Sequence, residues 1–80
     1  MAGATLDVLI TTPSQILFQG MAHSVTVPGE QGTFEMLPLH RPLVSRLLEG
    51  TFTVDEQAFP IRRGVIRVAD DIVTAVVELQ

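Results

Sequence analysis

His23 and His40 are the chain's two imidazoles, on different segments. A zinc site needs three or four ligands in compatible geometry, and no His-Glu pair at helical spacing supplies the rest. Both histidines therefore read as surface or loop groups. Ser14, Ser24 and Ser45 lie outside any Gly-x-Ser-x-Gly elbow, and no third residue is placed to orient a base for them. Ser14 follows Pro13 in what reads as an ordinary turn. The paired carboxylates, Asp55-Glu56 and Asp70-Asp71, each fall between β-rich runs. A wet turn holds a carboxylate near its ordinary pKa and supplies no general acid, so hairpin tips are expected there. Gly29-Glu30-Gln31-Gly32 has the glycines of a phosphate loop, but such a cradle needs a following helix N-terminus and usually a lysine. The chain has no lysine, and a strand-like run follows. With no cysteine either, disulfides and thiolate metal sites are excluded. These residues assemble no catalytic centre, and no metal or cofactor is expected.

The elements that must position them are short. Leu6 to Thr11 is rich in β-branched residues and stops at Thr12-Pro13-Ser14; Ile16 to Phe18 is closed by Gly20. Val25-Thr26-Val27 ends at Pro28-Gly29, and Phe34 to Leu37 lies between Gly32 and Pro38. Thr51 to Val54 alternates strictly after Gly50. Phe59 to Ile61 and Val65 to Val68 lie on either side of Arg63-Gly64, and Ile72 to Leu79 follows Asp70-Asp71. Short β-rich runs broken by Gly, Pro and Asp predict a sandwich or barrel. Only Pro42 to Glu49 resembles a helix, with Leu43, Leu47 and Leu48 on one face, and eight residues are too few to decide by periodicity. Its β-rich neighbours favour an extended segment with one turn of helix. The fold class expected is all-β, a flattened two-sheet β-sandwich of about eight to ten short strands. Phe18, Phe34, Phe52 and Phe59 are expected in the core or on a sheet face.

The 80 residues form a single domain, 1–80, and at 46% hydrophobic they exclude a disordered tail. A domain this small, without staples, buries only about 60% of its unfolded surface and gains from partners. No apolar run approaches the roughly 20 residues of a membrane span, and a signal-peptide pattern is lacking. Direct membrane insertion is therefore not expected. All five basic residues are Arg and the net charge is −4, a poor balance for nucleic acid or an anionic membrane surface. A protein partner or a small ligand is favoured.

Further information comes from the order of the motifs. Leu6-Asp7-Val8 is followed by Thr12-Pro13, Leu17-Phe18-Gln19-Gly20, Val25-Thr26-Val27-Pro28-Gly29, and then Gly32 to Leu43, where Leu37-Pro38-x-His40-x-Pro42-Leu43 is the most specific part. Gly50, the run Phe59 to Val68 around Gly64, and a Val/Ile-rich last strand complete it. This order resembles the N-terminal β-sandwich of the epsilon subunit of bacterial and chloroplast rotary ATP synthases, counterpart of the mitochondrial delta subunit. Three positions depart from the family: Glu35, Leu39 and Arg63 stand where glycine is usual, which suggests a divergent branch. Arg63 is tolerable only if its backbone does not need positive φ.

The resemblance implies a non-catalytic central-stalk subunit that links the gamma subunit to the c-ring of the membrane and couples ion flow to ATP synthesis or hydrolysis. It would sit as a peripheral subunit on the cytoplasmic face of the bacterial inner membrane. Glu30, Gln31, Gly32 and Thr33 match the loop that meets the c-ring, with a plain hairpin loop as the competing reading. His40, Arg41 and Pro42 match the segment near gamma. There His40 is equally suited to satisfying backbone groups beside Pro38 and Pro42, and Arg41 to solvent. The family's two inhibitory C-terminal helices are expected to be absent from this polypeptide. An exposed partner-binding surface can also self-associate in the isolated domain. The alternatives are a stand-alone β-sandwich interaction module and, further off, a small enzyme or ligand-binding barrel with a deep polar pocket.

Overall fold

The computed structural model describes residues 4–80. Eight strands carry the fold: β1 (Leu6–Thr11), β2 (Ile16–Ala22), β3 (Val25–Gly29), β4 (Gly32–Met36), β5 (Leu43–Leu47), β6 (Gly50–Val54), β7 (Gln57–Ala69) and β8 (Ile72–Leu79). Their alternation is the physical cause. In β1, Leu6, Val8 and Ile10 are buried while Asp7 is exposed, and in β8 Val73, Ala75 and Val77 are buried between exposed neighbours. A period of two puts one set of side chains in the core and the other in water.

All eight strands belong to one hydrogen-bonded sheet, with the path β2-β1-β8-β7-β5-β3-β4 and β6 joined to β3 and β7. Every pairing is antiparallel except β1 with β8. β5 and β6 follow one another along β7, which pairs β6 through Gln57–Ile61 and β5 through Gly64–Val68. The sheet doubles over, so that side chains of β1 and β8 meet those of β3, β4 and β6 in one core cluster led by Phe52, Leu6, Ile10 and Met36. Among the described residues no polar or charged side chain is buried. The expected sandwich is therefore present, and its two layers are one sheet folded on itself.

Two sequence expectations need correction. Pro42 to Glu49 contains no helical turn; Leu43–Leu47 is a strand with Leu47 buried and Leu48 exposed. Arg63-Gly64 does not separate two strands. β7 runs through for 13 residues, and its register against β8 slips between Ile61 and Arg63. One extra residue makes a β-bulge, which bends the strand and changes which residues face inward. The inward set passes from Phe59 and Ile61 to Gly64, Ile66 and Val68, leaving both Arg62 and Arg63 in water.

The acidic pairs do form hairpin tips. Val54 pairs with Gln57 and Ala69 with Ile72, leaving Asp55-Glu56 and Asp70-Asp71 as two-residue loops. Asp70 and Asp71 take φ values of 53° and 60°, as a type I′ turn demands, and Asp tolerates that region better than most residues. Asp55, however, is more than a wet turn residue. Its Oδ1 accepts the backbone N–H of His23 at 2.9 Å and of Ser24 at 3.0 Å, and its own N–H donates to the Ser24 carbonyl at 3.0 Å.

The N–H groups of His23 and then Ser24 hold the Asp55 carboxyl below its ordinary 3.8, correcting the expectation of a normal pKa; the His23 ring, 3.8 Å away, adds less. A folded-state pKa below the unfolded one means that the stabilisation is complete above the unfolded pKa, near 3.9, and is lost as pH falls through the folded value. Asp55→Asn is expected to be less stable than wild type at neutral pH, the gap closing as urea melts are taken down to about pH 2. A gap of constant size across that range would exclude the carboxylate charge as its source.

Candidate functional site

The segment Glu30–Thr33 is the tip of the β3–β4 hairpin. Val25–Gly29 pairs with Gly32–Met36 in continuous register, so the chain reverses over Glu30 and Gln31, and Gly32 takes φ +116°, a conformation open to glycine and strained for side chains. All four residues are exposed. With Phe34 and Ser45 they line a shallow, open groove of about 460 Å³. This arrangement offers one carboxylate, one amide and one hydroxyl on a rigid two-stranded tip. It suits docking against a polar surface, because hairpin backbone holds the groups without further ordering cost.

His40, Arg41 and Pro42 lie elsewhere, on the link from β4 to β5. His40 is half-buried, and its Nδ1–H donates to the Arg41 carbonyl at 2.7 Å, which places a proton on Nδ1. That carbonyl belongs to the residue just before Pro42, and the bond leaves the rest of the ring's edge free to meet a neighbour. Arg41 and Pro42 are exposed, and Arg41 forms no ion pair among the described residues. The fold brings Glu30–Thr33 together in one groove and keeps His40–Pro42 out of it.

Leu39, between the two prolines, was noted only as a departure from glycine, and its backbone explains why glycine would suit. Its φ is 68°, its side chain is 86% exposed, and its N–H donates to Asp71 Oδ1 at 2.7 Å. That hydrogen bond ties the link to the β7–β8 turn. Cβ crowding in the left-handed region costs about 1–2 kcal/mol for an L-residue. Part of that gain is offset in a glycine variant by the freer unfolded chain. Leu39→Gly is expected to stabilise the domain by about 1 kcal/mol in urea unfolding; destabilisation would mean that the leucine side chain has a folded-state role. Neither Glu35 nor Arg63, the other two departures, has positive φ, so both tolerate a side chain.

Among the described residues no group of three or more His, Cys, Asp or Glu is placed to hold a metal ion. The serines remain apart from an organised base. Ser14 sits in the turn capped by Thr12, whose Oγ1 accepts the N–H of Ser14 at 3.2 Å and of Gln15 at 3.1 Å. An open groove of about 700 Å³ lies over the β7 bulge, with Arg46, Arg62, Glu49 and Glu78 around Val65 and Val76. Sequence reasoning missed it, since it depends on which strand neighbours which. The only signal was the alternation of Val44 with Arg46 and of Val65 with Arg67.

A doubled eight-stranded sheet with a filled apolar core and open surface grooves defines a small β-sandwich domain. Its sequence matches the family described as ATP synthase, Delta/Epsilon chain, beta-sandwich domain, over residues 5–79. The chain belongs to that family. It is 38% identical over 79 residues to the ATP synthase epsilon chain of Nitratiruptor sp., covering 92% of this chain and 61% of the relative. It is 35% identical over 81 residues to that of Rickettsia typhi, covering 92% and 74%. Among solved structures, a chain of the Euglena gracilis mitochondrial ATP synthase superposes with a TM-score of 0.84 at 20% identity, covering 92% of this chain and 51% of that one. A chain from the Tetrahymena thermophila mitochondrial ATP synthase central stalk and c-ring gives 0.79 at 14% identity, covering 98% and 66%. The chain thus spans about 61% of the Nitratiruptor relative and 51% of the Euglena chain.

Proposed function

We propose that this sandwich is the non-catalytic rotor element of an ATP synthase, seated between the gamma subunit and the c-ring and coupling ion flow to ATP synthesis or hydrolysis. The observation that carries the reading is the family match over residues 5–79, together with epsilon-chain relatives of 38% and 35% identity. On this reading Glu30–Thr33 face the c-ring and His40–Pro42 face gamma. The domain has no active site of its own and works as a peripheral subunit on the cytoplasmic face of the bacterial inner membrane. The physics suits the task. A doubled sheet with a fully apolar core is stiff and transmits load, and a small domain without disulfides gains stability by mass action when bound.

The test has two arms. Capture of the purified gamma subunit from the same genome is expected for wild type and weakened about tenfold by His40→Ala with Arg41→Glu. Capture by membranes carrying the c-ring, with gamma present, is expected to fall in Glu30→Lys. The melting curve of Glu30→Lys should match wild type, since that side chain is exposed, and His40→Ala with Arg41→Glu, which loses the bond from His40 to the Arg41 carbonyl, is read against Arg41→Glu alone. A well-folded wild-type domain that binds neither gamma nor the gamma–c-ring assembly would reject the rotor role.

A further inference from the structure

The link from β4 to β5 has little conformational freedom of its own. Pro38 and Pro42 have φ locked by their rings, and Leu37 and Arg41, each placed before a proline, are pushed towards extended backbone. His40 is tied to the Arg41 carbonyl through its ring. Leu39 is therefore the joint whose backbone angle is left for the tertiary structure to set. That angle is set against the residue's preference. Its φ is 68°, a conformation that crowds the Cβ of an L-residue. The side chain, 86% exposed, offsets none of that strain. The compensation comes through the backbone, as the 2.7 Å hydrogen bond from the Leu39 N–H to Asp71 Oδ1. A residue held in a strained conformation persists where its surroundings over-determine it.

Asp71 is well placed for that task. Its main-chain carbonyl accepts the Asp7 N–H at 2.8 Å, which anchors the residue to β1 and leaves its carboxylate for the link. It is half-buried, and among the described residues no cation pairs with it. A carboxylate–amide bond of this length is charge-assisted and about twice as strong as a neutral one. Asp70, its neighbour in the same turn with φ 53°, is exposed and leaves the link to Asp71. We propose that Asp71 is a positioning residue: its carboxylate holds the strained Leu39 amide and so sets the path along which His40, Arg41 and Pro42 are displayed. A turn 32 residues further along the chain thereby governs the geometry of the link. The proposal rests on the rotor reading, under which that segment faces gamma.

The experiment compares wild type with Asp71→Gly, Asp71→Asn, Asp70→Gly and the pair Asp71→Gly with Leu39→Gly, by amide hydrogen exchange and by equilibrium binding of purified gamma. Glycine keeps the positive φ of the turn and removes the carboxylate, whereas asparagine keeps both the φ and an acceptor oxygen. In Asp71→Gly the Leu39 amide is expected to exchange at least about tenfold faster, with the amides of the β7–β8 ladder unchanged. Asp71→Asn should restore most of the protection, and Asp70→Gly should leave it at the wild-type level. Gamma affinity is expected to follow the same order, falling about tenfold in Asp71→Gly. Adding Leu39→Gly to Asp71→Gly should recover affinity, because glycine occupies the left-handed region without a clamp. A residue that merely stabilised its own turn would give no such rescue. Unchanged exchange at Leu39 in Asp71→Gly would overturn the proposal, and so would faster exchange with gamma affinity at the wild-type level. Failure of wild type to bind gamma would instead reject the rotor reading, and the exchange comparison alone would then decide whether Asp71 holds the link.

Discussion

Gly64→Val is expected to destabilise the domain by about 3 kcal/mol, a large share of the roughly 4–12 kcal/mol that a chain of this size commands. Gly64 lies just past the bulge, between Leu47 of β5 and Val77 of β8. A Cβ there would stand 2.7 Å from the Val76 carbonyl oxygen, 2.8 Å from Val77 Cγ1 and 3.2 Å from Val77 Cα. Two of those atoms are backbone in the β7–β8 ladder, so relief requires the strands to part. At about 4–8 °C per kcal/mol for a domain this small, the melting temperature should fall by at least about 12 °C. Gly20→Ala is the control, because its Cβ would meet only the Phe18 ring at 3.9 Å, an ordinary contact, and a change within about 0.5 kcal/mol is expected. Urea melts of the two variants decide the matter: equal, small effects would show that β8 does not press on β7 at this point.

Phe52→Ala has the larger expected effect, a loss of about 3–5 kcal/mol. Phe52 is the largest fully buried side chain, at 0% exposure, and β6 holds it opposite half-buried Phe59 of β7. It sits in the core cluster shared by both layers of the doubled sheet. Truncation removes its burial energy and leaves a cavity that strands hydrogen-bonded on two sides cannot collapse to fill. β6 is paired to both β3 and β7, so little relaxation is open to it. The variant is expected to be partly unfolded at 37 °C in isolation, seen as lost amide dispersion, and to recover when a partner binds. Phe18→Ala, where the ring is only half-buried at the margin, should cost clearly less; equal losses would place the centre of the core elsewhere.

Most of the strands were legible because their causes are local. The alternation of Thr51 to Val54 and of Ile72 to Leu79, and the breaks at Thr12-Pro13-Ser14, Asp55-Glu56 and Asp70-Asp71, arise from side-chain period and turn chemistry within a few residues. The four phenylalanines, read as core or sheet-face groups, are buried at Phe52 and packed against the core at Phe18, Phe34 and Phe59. Pro42 to Glu49 was ambiguous for a physical reason. Its leucines satisfy both periods, and pairing of Leu43–Leu47 with β7 decided for strand. The Glu30–Thr33 tip was legible as a glycine-flanked reversal, whereas the bond from His40 to the Arg41 carbonyl depends on the path of the β4–β5 link.

By itself, then, the sequence determined an all-β chain, most of its turns and the placing of its four phenylalanines in the core or on a sheet face, since each follows from side-chain period and turn chemistry between near neighbours. The tertiary structure alone decided what depends on register between distant segments. Arg63-Gly64 became a bulge inside one long strand because β8 pairs across it, and Leu39 was driven to a positive φ where its amide reaches Asp71. Asp55 became a cap for the His23 and Ser24 amides, more than 30 residues earlier in the chain. Four arginines scattered between positions 46 and 67 came to share one face, because sheet pairing, and not sequence distance, sets which side chains stand together.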